Sequence, residues 1–252
     1  MSNSNLVCTT AILLAAGVGR RLGQAQAAPK VLARVGERTL LERHLSILAG
    51  EGISEVAITI GHRGELIRQA VADAGYRDLV RFVENPDYRD GSLVSLWVQR
   101  DLLRSGKPFV LMDGDVLYDR RMMQSLLAAP GEAVMLVDRM IEPGDEPVKI
   151  CFRGGTIVDF RKKPEAPHDW HGESVGFFRF SPMMGARLAD ACARRIGAGE
   201  TATEYEEAIR DLILAEPQAF HAQDISALPW TEIDFPEDLA RARAEIMPRL
   251  VA

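Results

Sequence analysis

The feature that most constrains this chain is a short apolar run that ends in glycine. Ala11-Ile12-Leu13-Leu14 contains no polar residue and passes straight into Ala15-Ala16-Gly17-Val18-Gly19. A run of that length, bounded by glycine, reads as a buried strand. Beyond it, Gly17 and Gly19 lack a Cβ, so backbone N–H groups can approach a ligand closely. Arg20, Arg21 and Lys30 add positive charge. Strand, small-residue turn and cations are together the parts that hold a polyphosphate. Two commoner phosphate loops are excluded. No Gly-x4-Gly-Lys-Ser/Thr run is present, and the dinucleotide fingerprint fails because Leu22 stands where its third glycine would be. Glycine and arginine alone fit a strand-to-helix turn with a solvated arginine pair equally well.

The pattern that follows alternates. Thr39 can cap a helix running to about residue 49, with Leu40, Leu41, Leu45 and Leu48 on one face. Residues 55–60 read as a strand, 64–74 as a helix and 79–83 as a strand, whereas 31–36 suggest a short strand or extended turn. Such alternation argues for a parallel sheet with crossover helices. Ligands of open α/β sheets bind beyond the carboxyl ends of the strands. The turn-rich loop 85–92 therefore lies on the same side as the glycine turn. Ser92 reads either as the N-cap of a helix over 93–103 or as a ligand contact. His44 and His62 read as structural or solvated. Phe109 to Met112 form another apolar strand, with Asp113-Gly114-Asp115 at its end, where a carboxylate facing a phosphate loop can hold a divalent ion.

After a helix over 120–128 and a strand over 133–138 the pattern changes. Gly154-Gly155 between two strand-like runs signals a hairpin. Residues 142 to about 180 read as an antiparallel excursion. Beyond it, 182–196 form an amphipathic helix, Thr203 and Glu206 have capping-box spacing for a helix to about 215, and 219–224 form a strand. Pro236 suits the first turn of a closing helix.

The stretch from Leu14 to Lys30 resembles LAAGxGxRL…PK, the signature of the nucleotidyltransferases that make NDP-sugars and CDP-alcohols. Further matches extend the resemblance over nearly the whole chain: Gly114-Asp115, Phe160-Arg161-Lys162-Lys163-Pro164, Gly172-Glu173-Ser174-Val175-Gly176 and Glu232-Ile233-Asp234-Phe235-Pro236-Glu237-Asp238-Leu239. The fold it implies is a Rossmann-like α/β fold, with a mixed, mainly parallel sheet flanked by helices and an antiparallel acceptor-side excursion. It implies one domain over 1–252, its nucleotide-binding half ending near 138. Leu14, Ala15, Ala16, Gly17 and Gly19 would bind nucleotide, Gly91 and Ser92 its base, with Asp113 beside them and as a weaker candidate for metal. Arg21 and Lys30 would neutralise a triphosphate. Asp115 and Asp234 would hold Mg²⁺, with Glu232 undecided. Lys163 and Lys149 would meet the acceptor phosphate, and Glu173, Tyr205 and Trp230 the rest of the acceptor. Lys162 departs from the family pattern, which has Glu there.

The activity this implies is nucleotidyl transfer: a phosphorylated acceptor attacks the α-phosphorus of an NTP and pyrophosphate leaves. The loop after Asn85 and the two C-terminal segments look most like bacterial phosphocholine cytidylyltransferases and their phosphonate-using relatives, so CTP and phosphocholine are the expected substrates. A trimethylammonium head would want aromatic faces and carboxylates, for which Trp170, Trp230, Tyr205, Glu173 and Glu204 are available. Two other readings stand: a sugar-1-phosphate nucleotidyltransferase, and a domain that senses NTP without turnover. A net charge of −6 disfavours a general nucleic-acid binder. Three scattered cysteines suit a reducing compartment, and no apolar stretch reaches the roughly 18 residues of a membrane span. A cytoplasmic protein is expected, with no signal for an oligomeric state.

Overall fold

A computed structural model describes residues 7–19, 28–141 and 147–251. The apolar run is strand β1 (Thr10–Ala15), whose residues 11–13 are wholly buried. Its alternation serves two cores. Ile12 faces one layer with Phe109, Leu111 and Phe178, while Ala11 and Leu13 face the other with Leu41, Leu45 and Leu48. A strand covered on both faces has no solvent side, which explains a continuous rather than alternating apolar run.

After β1 come a short 3₁₀ turn at Lys30–Leu32 and a two-strand ribbon of β2 (Arg34–Val35) and β3 (Arg38–Thr39), in place of the single strand or extended turn expected over 31–36. Thr39 caps α1 (Leu40–Gly50) in a capping box with Glu42. Then follow β4 (Glu55–Ile60), α2 (Gly64–Asp73) and β5 (Val80–Glu84). The helix expected over 93–103 is broken into α3 (Ser92–Trp97) and α4 (Arg100–Leu103). Buried Gln99 sits at the break, its amide donating to Thr59 Oγ1 of β4 at 2.9 Å. Next are β6 (Phe109–Asp113), β7 (Val116–Tyr118), α5 (Arg120–Ala128) and β8 (Ala133–Asp138).

The Gly154-Gly155 turn joins β9 (Lys149–Arg153) to β10 (Thr156–Arg161) as an antiparallel hairpin, both glycines having positive φ. The eleven-residue β11 (Trp170–Phe180) comes next, then α6 (Pro182–Gly197), α7 (Tyr205–Ala215), β12 (Phe220–Asp224), β13 (Trp230–Glu232) and α8 (Pro236–Arg241). The strand order β10-β9-β11-β6-β1-β4-β5 forms one sheet, with β8 branching from β11 and β12 pairing in turn with β8. Its centre, β6-β1-β4-β5, is parallel. β11 runs antiparallel to β9 with its first residues and to β6 with its last, and β8 lies along its other edge. The fold is therefore the expected mixed, mainly parallel sheet, with an antiparallel extension hinged on β11.

The capping box expected at Thr203 and Glu206 is not formed. Helix α7 starts at Tyr205, and Glu204 occupies the N-cap without a side-chain cap bond. The first helical N–H, of Tyr205, donates instead to Ser92 Oγ at 2.9 Å. Thr203 is held elsewhere, because its carbonyl accepts from Leu93 N–H at 3.1 Å. Ser92 thus caps α7 from across the fold, and the N-cap of its own helix is Gly91.

Candidate active site

The carboxyl ends of β1, β6 and β8, residues 173–176 of β11, the N-terminus of α7 and the segment 228–238 enclose a cleft of about 850 Å³. At its centre the β6 strand ends in Asp113-Gly114-Asp115. Gly114 lets this turn lie against β1: its N–H donates to Leu14 O at 3.1 Å, and a Cβ there would meet that same oxygen at 2.8 Å. Buried His44 supports the turn from below, with Nε2 3.1 Å from Gly114 O, and burial lowers its pKa to about 4, so it is neutral.

Asp115 and Asp234 converge on Lys30, whose ammonium is 3.0 Å from Asp115 and paired also with Asp234. Burial alone would lower the pKa of Lys30, but the charges of Asp115 and Asp234 more than offset it and hold the ammonium above its usual range. Asp234 is fixed by its own backbone: the Asp238 carboxylate accepts from the N–H groups of Asp234 and Phe235 at 3.0 and 2.8 Å. Glu232 completes the group, because carboxylate oxygens of Asp115, Glu232 and Asp234 all lie within 4.8 Å of one another. Withdrawal from bulk water, then the charges of Asp115, Asp234 and Asp113, raise the pKa of Glu232. Three convergent hard oxygen donors suit a divalent cation such as Mg²⁺.

Of the predicted nucleotide residues, Leu14, Ala16, Gly17, Ser92 and Asp113 line the cleft. Above Gly17 the space is open, since a Cβ there would touch nothing within 4 Å. Ala15, Gly19 and Gly91 do not line it. Gly19 has φ +63° and packs on the Lys30 stem, 3.0 Å from where its Cβ would be. Gly91 is a packing position: its N–H donates to Thr201 O at 2.8 Å, and any side chain would collide with the 202–203 backbone. Arg21 falls outside the described residues. Tyr88 and Asp90 also line this end and were not anticipated. Their loop is built on buried Asn85, whose Oδ1 accepts from Asp87 N–H at 3.0 Å and whose amide donates to Ser95 Oγ at 3.0 Å. An Asn two residues before a hydrogen-bonded N–H is the available sequence signal.

Of the residues expected to meet the acceptor, Glu173 and Trp230 line the cleft. The Trp230 indole N–H donates to Asp138 at 2.7 Å. Neither Lys149 nor Lys163 lines it. The Lys149 ammonium donates to Lys162 O at 2.9 Å, and it is Lys162, the departure from the family pattern, that faces the cleft while pairing with Glu204 at 2.8 Å. Trp170 is also displaced: its ring stacks on Phe152 at 4.0 Å, with the Arg139 guanidinium 4.7 Å from its centroid. Tyr205 lines the cleft although it is buried, its ring edge-on to Phe178 and its hydroxyl donating to Asp113 at 2.8 Å. Burial, then the charges of Glu206 and Asp115, raises the pKa of Asp113. Glu206, expected only as a capping residue, lines the cleft.

A glycine turn beside a lysine and convergent carboxylates, at the carboxyl ends of a parallel sheet, defines a nucleotidyltransferase-type site. The profile of the MobA-like NTP transferase domain matches residues 11–166, and the chain belongs to that family. It is 29% identical over 254 residues to a CMP-5'-(3-aminopropyl)phosphonate synthase of Streptomyces rubellomurinus, covering 94% of this chain and 39% of that protein. It is 33% identical over 233 residues to a bifunctional IPC transferase and DIPP synthase of Rubrobacter xylanophilus, covering 91% of this chain and 50% of that protein. The chain thus spans half or less of the length of these relatives. A solved CTP:phosphocholine cytidylyltransferase of Streptococcus pneumoniae superposes with a TM-score of 0.75 at 18% identity, over 94% of this chain and 98% of that one. At that identity the likeness is one of fold. Among the described residues, no helix is long and apolar enough to cross a membrane.

Proposed function

We propose that this chain is a Mg²⁺-dependent cytidylyltransferase that joins CTP to a small phosphorylated acceptor with a cationic head, a class that includes phosphocholine and aminoalkyl phosphonates. The observation that carries the reading is the cleft's charge. Lys30 and the Asp115–Asp234 pair stand at its centre, while the acceptor end is walled by Asp138, Glu173 and Glu204, the last paired with Lys162. A sugar phosphate offers no positive charge to such a wall. CTP itself rests on the family resemblance and on the relatives' chemistry.

In the reaction, an acceptor phosphate or phosphonate oxygen attacks the α-phosphorus of CTP in line. The new P–O bond forms as the bond to pyrophosphate breaks. No general base is needed, because the attacking group is already ionised near neutral pH. Lys30 neutralises charge that builds on the phosphates, and Asp115, Glu232 and Asp234 provide the oxygen ligands for the metal. Bound Mg²⁺ would supply electrostatic stabilisation of the triphosphate at this point.

Pyrophosphate release tests the reading, with each of the four NTPs against phosphocholine, 2-aminoethylphosphonate, glycerol phosphate, inositol 1-phosphate and glucose 1-phosphate. Release from CTP with a cation-headed acceptor is expected, and Asp115→Asn should lower it by roughly 10³-fold. Turnover confined to glucose 1-phosphate, or binding of NTP without turnover of any acceptor, would overturn it in favour of a sugar-phosphate transferase or a sensor.

A further inference from the structure

We propose that Lys30 is a built-in competitor for the divalent ion: without nucleotide its ammonium holds the Asp115–Asp234 pair and keeps the ion out, and it passes to the triphosphate before the carboxylates take a metal. The inference rests on the reading of the cleft as a Mg²⁺-dependent nucleotidyltransferase site, and it sets the order in which that site fills.

Two independent observations carry it. The first is which group answers the carboxylates. The Lys30 ammonium lies 3.0 Å from Asp115 and is paired with Asp234 as well. Those two residues, with Glu232, are the ones whose oxygens converge closely enough to hold a metal ion. Lysine and metal therefore compete for the same carboxylates. An ammonium offers donors only and coordinates no cation. Left between the carboxylates, it would face a doubly charged ion at close range, and the two would repel. One of them has to leave.

The second observation is that the Lys30 head can move while its backbone stays fixed. Lys30 opens the 3₁₀ turn, which is closed by Leu32 N–H to Pro29 O at 2.9 Å and Ala33 N–H to Lys30 O at 2.8 Å. Its neighbour Val31 is buried and anchors the turn. The Lys30 stem lies against the glycine turn, since a Cβ on Gly19 would be 3.0 Å from Lys30 Cγ. The side chain thus runs from the turn suited to phosphates to the carboxylates suited to a metal, on a flexible four-carbon stem. Nor is its head sealed. Lys30, Asp115 and Asp234 all line the cleft and keep 21%, 21% and 20% of their side-chain surface exposed. A triphosphate seated at the glycine turn offers the ammonium a second set of anionic oxygens, which frees the carboxylates.

Titration with Mn²⁺ in place of Mg²⁺, without nucleotide and followed by electron paramagnetic resonance, tests this apart from turnover. Lys30→Met should bind Mn²⁺ at least about tenfold more tightly than wild type, a size within the usual range of coupling between linked ligands. Adding Asp115→Asn to Lys30→Met should abolish the gain. Lys162→Gln removes one positive charge from the same cleft, where its partner is Glu204, and should stay within about twofold of wild type. Wild type alone supplies a second measurement that needs no variant to fold. Millimolar Mg²⁺ should leave its thermal midpoint unchanged without nucleotide, and should raise it beyond the effect of α,β-methylene-CTP alone when both are present. Equally tight Mn²⁺ binding by wild type and Lys30→Met, an equal gain in Lys162→Gln, a gain that survives Asp115→Asn, or a Mg²⁺-induced rise in the wild-type midpoint without nucleotide would overturn the inference. Pyrophosphate release separates the two failures. Release from CTP by wild type alongside any of those results sinks the competitor role of Lys30 alone. No release from any NTP, with no Mn²⁺ bound by Lys30→Met, sinks the underlying reading as well.

Discussion

The cleft is lined on one side by the ends of β1 and β6 and on another by the first half of β11, the start of α7 and the loop after β10, and the two parts are held in place differently. The first is set by main chain and apolar packing. β1 pairs with both neighbours in parallel register, and Ala11, Ile12 and Leu13 are without solvent contact. The second is stitched by charge. Arg210 pairs with buried Asp159 at 2.6 Å, Arg161 with Glu207 at 3.0 Å and Lys162 with Glu204 at 2.8 Å. Asp159 also accepts from the backbone N–H groups of Glu165 and Ala166, shaping the loop that carries Lys162. On the proposed reading, fixed backbone suits a triphosphate common to many acceptors, whereas the side-chain pairs of the second part can be exchanged as the acceptor changes.

Three substitutions measure that contrast. Leu13→Ala should cost the most, about 2–5 kcal/mol in denaturant unfolding, because it opens a cavity in a strand packed on both faces. Asp159→Ala should cost about 2–3 kcal/mol near neutral pH, since it strands Arg210 and the backbone N–H groups of Phe160, Glu165 and Ala166. Despite the opposing effect of burial, its hydrogen bonds with Arg210, Glu165 and Ala166 hold the Asp159 pKa below the usual value. Its contribution is therefore present above the unfolded pKa of about 3.9 and is lost as pH falls through the folded one, so wild type and variant should converge in acid. Glu204→Gln should change stability by under about 1 kcal/mol, because the pair with Lys162 is solvent-exposed, and raised salt should shrink even that. A larger loss in Asp159→Ala than in Leu13→Ala would break the contrast.

The same division explains what could be read from sequence. The parallel wall is written in local signals: an apolar run, a glycine turn, an Asp-Gly-Asp at a strand end. Each holds its meaning within a few residues, and each element appears where expected. The part built from β11, α7 and the loop after β10 depends on partners far apart in the chain. Thr203 and Glu206 have the spacing of a capping box, yet Ser92 caps α7 from 113 residues away, and Glu206 is released into the cleft. Trp170 and Trp230 look alike as aromatic candidates, but only packing against Phe152 or Asp138 distinguishes them. Lys162 and Lys163 differ by one position on an irregular loop, where no periodicity says which one faces inward.

Gly176 carries a consequence for how this family's sequences can drift. It lies on β11 with φ +75°, where the pairing of β11 with β8 shifts register, and a Cβ there would collide with the Asp113 carboxylate. The two positions therefore form a lock. No side chain can enter at 176 while Asp113 and its bond to Tyr205 remain. A lineage that lost Asp113 to a small residue would be free to fill position 176 and straighten the strand. Position 176 should thus change only once Asp113 has, and a descendant carrying both changes would keep the same fold with a floor of different shape beneath the same cleft.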